Sequence, residues 1–131
     1  MASTDRTTEA SCRELTEYVR SQAHDALRTV FYYEGADGEL LYVRPDVAGE
    51  GEDGVERMHG FLRDALEDRS TLESICELGL VRGSVRILDD GFLLHFPLGD
   101  DSGWAITVDR HGGGKLPEIV DYCRNRLREL R

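Results

Sequence analysis

Three short apolar runs separated by two turn signals, between Leu80 and Asp109, constrain this chain more than any other feature. Residues 81–88 (VRGSVRIL), 92–96 (FLLHF) and 104–108 (WAITV) are rich in β-branched and aromatic side chains, which suit a pleated, half-buried surface. Asp89, Asp90 and Gly91 separate the first two runs, and residues 97–103 separate the second and third. Asp tolerates and Gly freely adopts the positive φ that a tight hairpin connection needs. The pattern predicts an antiparallel three-stranded meander. Such a meander has an apolar face to bury, so the remaining residues must supply its cover.

The segments on either side have the right periodicities for that role. Residues 1–10 are polar, with nothing to bury, and are expected to form a disordered tail ahead of a single α+β domain at 11–131. Ser11 and Glu14 have the spacing of a capping box, and Leu15, Tyr18, Val19, Gln22, Ala26 and Leu27 follow at near-helical intervals. Residues 29–33 and 39–43 read as two strands of a hairpin joined by a five-residue loop, 34–38. Val30 and Tyr32 alternate with Phe31 and Tyr33, and Leu40 and Tyr42 with Leu41 and Val43, so both faces of this hairpin are apolar. Pro45 ends the second strand, because it cannot donate to a ladder.

Residues 48–54 (AGEGEDG) are acidic and glycine-rich and are expected to be a solvated loop, without the oxygen-ligand register of an EF-hand. Asp53 with Glu56, and Ser70 with Glu73, have the spacing of two further capping boxes. The first precedes the stripe Val55, Met58, Phe61, Leu62, Ala65 and Leu66; the second precedes Leu72, Ile75 and Cys76. A helix, a break near 68–70 and a second short helix follow from this. After the meander, residues 110–115 (RHGGGK) are expected to be a flexible connection to a final helix, with Pro117 in its first turn and Leu116, Ile119, Val120, Cys123, Leu127 and Leu130 as its apolar stripe.

The 131 residues suffice for one domain, and the formal net charge of -10 limits what that domain can bind. Nucleic acid backbones and anionic lipid surfaces would be repelled on average. Lys115 is the single lysine among 16 basic residues, against 26 acidic ones. This balance is that of a protein adapted to concentrated salt, where screening removes the long-range repulsion between carboxylates; codon bias toward Arg is the alternative. Cys12, Cys76 and Cys123 are far apart and form no CxxC pair, which fits a reducing cytoplasm. No run approaches the length of a membrane span.

No constellation has the spacing of a catalytic, metal or cofactor site, and neither enzymatic activity nor a cofactor is expected. Gly112, Gly113, Gly114 and Lys115 ahead of a helix could hold an anion weakly, but a P-loop would need Gly where Asp109 stands and Ser or Thr where Leu116 stands. His24, His59, His95 and His111 are scattered and lack partners at ligand spacing. His95, between Leu94 and Phe96, is expected to be structural rather than a general base. Cys12 falls in the first turn predicted for its helix, where the dipole lowers a thiol pKa, although a surface thiol without chemistry is the simpler expectation.

The resulting order is α-β-β-α-β-β-β-α, with a five-stranded antiparallel sheet and helices packed on it. Over residues 11–131 this order resembles the roadblock/LC7 domain, with profilin-like and PAS-like folds as neighbours. Segments such as ELLYVRPD at 39–46 and LLHFP at 93–97, together with the acidic, lysine-poor make-up, are also similar to small proteins of halophilic archaea. The roadblock resemblance implies a dimeric regulatory or scaffolding platform, often for a small GTPase, with no catalytic residues to carry over. The rival reading is a ligand sensor with Tyr32, Tyr42, Phe96 and Trp104 lining an apolar pocket between sheet and helix. In the roadblock order the strand at 81–88 would be an edge, apolar at Val81, Val85 and Ile87 and guarded by Arg82 and Arg86. Arg82, Val85, Arg86 and Ile87 are accordingly the candidate interface for a homodimer.

Overall fold

A computed structural model describes residues 6–48, 51–65 and 69–130. Helix α1 (Arg6–Ala23) leads into the hairpin β1 (Leu27–Glu34) and β2 (Asp37–Val43). Helices α2 (Gly51–Ala65) and α3 (Arg69–Cys76) precede the meander β3 (Ser84–Leu88), β4 (Gly91–Pro97) and β5 (Ser102–Asp109), and α4 (Leu116–Leu130) ends the chain. The five strands form one antiparallel sheet in the order β2-β1-β5-β4-β3. The expected element order is therefore present, and β3 lies at an edge.

Two apolar layers explain why both faces of the first hairpin are hydrophobic. On one face Cys12, Leu15 and Val19 of α1 and Ile119, Cys123 and Leu127 of α4 pack on Val30, Tyr32, Leu94, Phe96, Trp104, Ile106 and Val108. On the other, Leu62 of α2 packs on Phe31, Tyr33 and Ala105. In the β1–β2 pairing Val30 faces Tyr42 while Phe31 faces Leu40, so Leu41 is an extra residue. That bulge turns Leu41 and Tyr42 both toward the first core, leaving Leu40 and Val43 on the α2 side. α1 and α4 are joined by the stacked rings of Tyr18 and Tyr122, 4.1 Å between centroids, and by the Glu14–Arg126 ion pair.

The capping boxes expected at three helix starts do not mark those starts. α1 begins at Arg6, so residues 6–10, expected in the tail, are helical, and Ser11 lies buried inside the helix; residues 1–5 lie outside the described residues. No glycine or proline interrupts residues 6–10, so a helix anchored by Leu15 and Val19 propagates toward its N-terminus at little cost. α2 begins at Gly51, which makes residues 51–54 of the expected loop helical and places Asp53 in the first turn. α3 begins at Arg69, so Ser70 is within the helix, and Glu73 accepts a hydrogen bond from the Val81 amide at 2.7 Å instead of reaching back. The five-residue hairpin loop shrinks to Gly35 and Ala36, because Gly35 at φ 61° allows Glu34 to pair directly with Asp37.

The connection at 110–115 is a packed 3-10 run, not a flexible linker. A Cβ on Gly112 would lie 2.6 Å from a Val108 methyl and 2.7 Å from the Ala26 Cβ, and one on Gly113 would lie 3.0 Å from the Phe92 ring. These glycines let the backbone approach the core closely.

Candidate protein interface

α3 is the one helix among those described whose apolar stripe finds no layer to bury it. Leu72 is 50% exposed and Ile75 is 72% exposed, and the helix has no buried residue. It ends with Glu77 at φ 54° and Gly79 at φ 98°, and the chain then carries Leu78 and Leu80 through solvent before β3 begins. Of the nine large apolar side chains exposed among the described residues, seven lie between Leu72 and Leu88. This exposed apolar surface lies beside the unpaired edge of β3, and an open edge is in general a template for another strand.

The four residues singled out from the sequence all lie in this region but do not act together. Val85 pairs with Leu94 and Ile87 with Phe92, which puts both on the α1/α4 face of the sheet; Ile87 is 80% exposed because neither helix reaches over β3. Arg86 pairs with Leu93 and turns to the opposite face, where its guanidinium stands 5.1 Å from the centre of the Phe61 ring on α2. Arg82 precedes the strand, because the regular ladder begins at Ser84 rather than at residue 81. Val85 and Ile87 thus form the apolar stripe of the edge, while the two arginines flank it from other directions. Leu78 and Leu80 belong to the same surface and were not singled out in the sequence. Their signal was available: two leucines around Gly79, in a segment too short for any element, have no periodic face on which to hide.

A groove of about 340 Å³ separates α3 from β3, bordered by Leu72, Ile75, Val81 and Arg86, with His95 and Pro97 of β4 also lining it. His95 is 5% exposed, and its Nε2 is hydrogen-bonded to the Tyr33 hydroxyl at 2.8 Å. Burial, and then the charges of Arg69 and Arg86, holds the imidazole down at about 4, so it is neutral at pH 7. Burial pushes the Tyr33 phenol up, and a neutral pair results. The second imidazole on this face, His59, donates to the Gly35 carbonyl at 2.8 Å and lies 5.7 Å from the Tyr33 ring. Both histidines brace the α2 layer.

Other residues considered for chemistry are placed elsewhere. Tyr32, Phe96 and Trp104 are buried in the α1/α4 core and Tyr42 is packed against it under Arg20, so these four aromatics fill space rather than line a pocket. Cys12 is buried in the second turn of a helix that starts at Arg6, accepts a hydrogen bond from the Trp104 indole at 3.2 Å, and has its thiol pKa raised by burial. It is neither a surface thiol nor an activated one, since the added helical turn moves it away from the positive end of the dipole. Cys123 is also buried, whereas Cys76, expected within an apolar face, is exposed because α3 stands off the sheet. No group of three or more His, Cys, Asp or Glu side chains among the described residues is placed to hold a metal ion. No helix among them is long and apolar enough to cross a membrane.

The layers, the strand order and the apolar edge define an α+β protein with a roadblock/LC7-like fold. Residues 13–128 match the family described as Domain of unknown function (DUF7522), and the chain belongs to that family. Among solved structures it is similar to MglB of Myxococcus xanthus, with a TM-score of 0.63 and 8% identity over 99% of this chain and 92% of that one. It is also similar to the gliding protein MglB of Thermus thermophilus, with a TM-score of 0.53 and 11% identity over 94% of this chain and 89% of that one. A roadblock/LC7 domain from Streptomyces avermitilis aligns with a TM-score of 0.45 and 21% identity over 82% and 92% of the two chains. No curated protein matches the sequence. At identities this low the shared feature is the fold.

Proposed function

We propose that this protein is a non-enzymatic regulatory or scaffolding domain that works as a homodimer joined at β3. The observation that carries this reading is the coincidence of an edge strand with exposed Val85 and Ile87 and a neighbouring helix with exposed Leu72 and Ile75. Two copies of β3 paired antiparallel about a two-fold axis would continue the sheet through both subunits and bring the α3 stripes under cover. Leu78 and Leu80, at the turn between helix and strand, would then lie at the border of the contact. Because the contact is isologous, assembly stops at two. The roadblock likeness extends the proposal to a protein partner of the dimer, with a small GTPase as the class to test first. The acidic, single-lysine surface fits a soluble protein of a salt-rich cytoplasm.

Sedimentation equilibrium at micromolar concentration in high salt tests the dimer. The wild-type chain is expected at twice its mass. Val85→Pro, which removes a backbone donor, and Ile87→Glu, which places a charge on the apolar edge, are both expected to give folded monomers. A monomeric wild type removes the basis of the proposal, and an Ile87→Glu variant that stays dimeric moves the contact away from this edge.

A further inference from the structure

The sheet face covered by α2 is filled at its centre and hollow near the N-terminal end of that helix. At the hollow end Thr29 pairs with Val43 on one side and Thr107 on the other, so three short side chains stand in a row across β2, β1 and β5. α2 presents Gly54 there, and a cavity of about 380 Å³ remains, walled by Leu40, Val55 and Met58. This lies within the range of roughly 300–1,000 Å³ usual for small-molecule sites, and β4 separates it from the β3 edge.

The few polar groups in this apolar trough converge. The Thr29 and Thr107 hydroxyls are 2.6 Å apart, and one donates to the other. That bond uses one of two hydroxyl protons and leaves the second to donate to a ligand. Arg28 also lines the trough; the pairing shifts between Leu27 and Thr29, which leaves Arg28 as the unmatched residue beside the threonines. Its guanidinium carries five N–H groups, of which Nη1 reaches Asp109 at 3.4 Å, a long contact. The other oxygen of Asp109 is held by Arg44 at 2.6 Å. Donors on Arg28 therefore remain for a further acceptor.

We propose that this trough binds a small amphipathic carboxylate, with its aliphatic tail between the sheet and α2 and its head group on Arg28 and the Thr29–Thr107 pair. One forked guanidinium and one hydroxyl match the two oxygens of a planar, singly charged head. A multiply charged phosphate would meet too few cations here and the repulsion of a chain with net charge -10. The site is independent of the β3 contact, so failure of either proposal leaves the other standing.

The test is a titration of the full chain with octanoate, and in parallel with octanol as the neutral probe, followed by amide chemical shifts. Octanoate is expected to move the resonances of Thr29, Val43, Val55 and Thr107 saturably. Arg28→Gln is expected to weaken octanoate roughly tenfold or more while leaving octanol unchanged. Val43→Phe, which fills the trough, is expected to abolish binding of both probes. Should that variant not fold, replacing Thr29 and Thr107 together by the isosteric valine keeps the test, with octanoate weakened. The proposal is overturned if octanoate produces no saturable shifts at these residues, if octanol binds as well as octanoate, or if Arg28→Gln leaves octanoate affinity unchanged.

Discussion

The buried Tyr33–His95 pair makes stability depend on pH in a window that can be calculated from its surroundings. His95 has its ordinary pKa of 6.5 in the unfolded chain and about 4 in the fold, where burial dominates and Arg69 and Arg86 add repulsion. Between these values the unfolded chain binds a proton that the folded chain does not, so stability falls as pH falls. Each pH unit between the two values is worth about 1.4 kcal/mol, so the loss amounts to about 2 kcal/mol at pH 5 and about 3 kcal/mol below pH 4. The contribution is complete above 6.5. Asp109 and Asp46 act in a different window. Arg44 holds both below the ordinary carboxylate value of 3.8, and the stability they confer is lost only as pH falls below that value. Urea unfolding followed by fluorescence of the buried Trp104, at several pH values between about 7 and 4.5, isolates the His95 contribution when wild type is compared with His95→Gln. The amide of Gln can still bond the Tyr33 hydroxyl and does not titrate. The variant is expected to show a nearly flat profile above about pH 4.5 where the wild type declines. Parallel profiles would mean that His95 protonates inside the fold, and the account of a buried imidazole beside two arginines would be wrong.

The packed 110–115 turn predicts opposite outcomes for neighbouring glycines. Gly112→Ala forces a methyl into contact at 2.6 Å with Val108 and 2.7 Å with Ala26 and is expected to cost about 1–3 kcal/mol in chemical denaturation. Gly114→Ala meets nothing within 4 Å and is expected to be neutral or to gain about 0.5 kcal/mol; equal effects would indicate a loose loop. The excess of carboxylates predicts a melting temperature that rises between about 0.1 and about 3 M KCl as screening relieves self-repulsion, and no rise would leave codon bias as the account of the composition.

The elements themselves were legible because they rest on local periodicity. Runs of β-branched and aromatic residues between turn signals marked the five strands, and near-helical apolar spacing marked the helices, because both are patterns of neighbouring residues. Helix starts were less legible. Ser11, Asp53 and Ser70 each open a capping-box pattern, yet each lies inside a helix that starts earlier. A cap is worth about 1 kcal/mol, and a helix held down by a buried stripe can extend past it. Glu14 and Glu73, read as local caps, bond instead to Arg126 and to the Val81 amide, partners no local pattern could supply.

The sequence by itself determined the element order, the two-sided character of the β1–β2 hairpin and the acidic surface, all of which follow from composition and short-range spacing. Only the tertiary structure decided which apolar residues are covered. Leu15 and Ile75 both sit in helical stripes, but Leu15 is fully buried in the core that α1 and α4 form with the sheet, while Ile75 is 72% exposed on α3. The same holds for the polar groups: Thr29 and Thr107 are 78 residues apart in the chain and meet, beside Arg28, only because β1 and β5 are neighbours in the sheet. Burial depends on what the fold places opposite a residue, and strand order across a sheet is a long-range property that a stripe or a spacing does not encode.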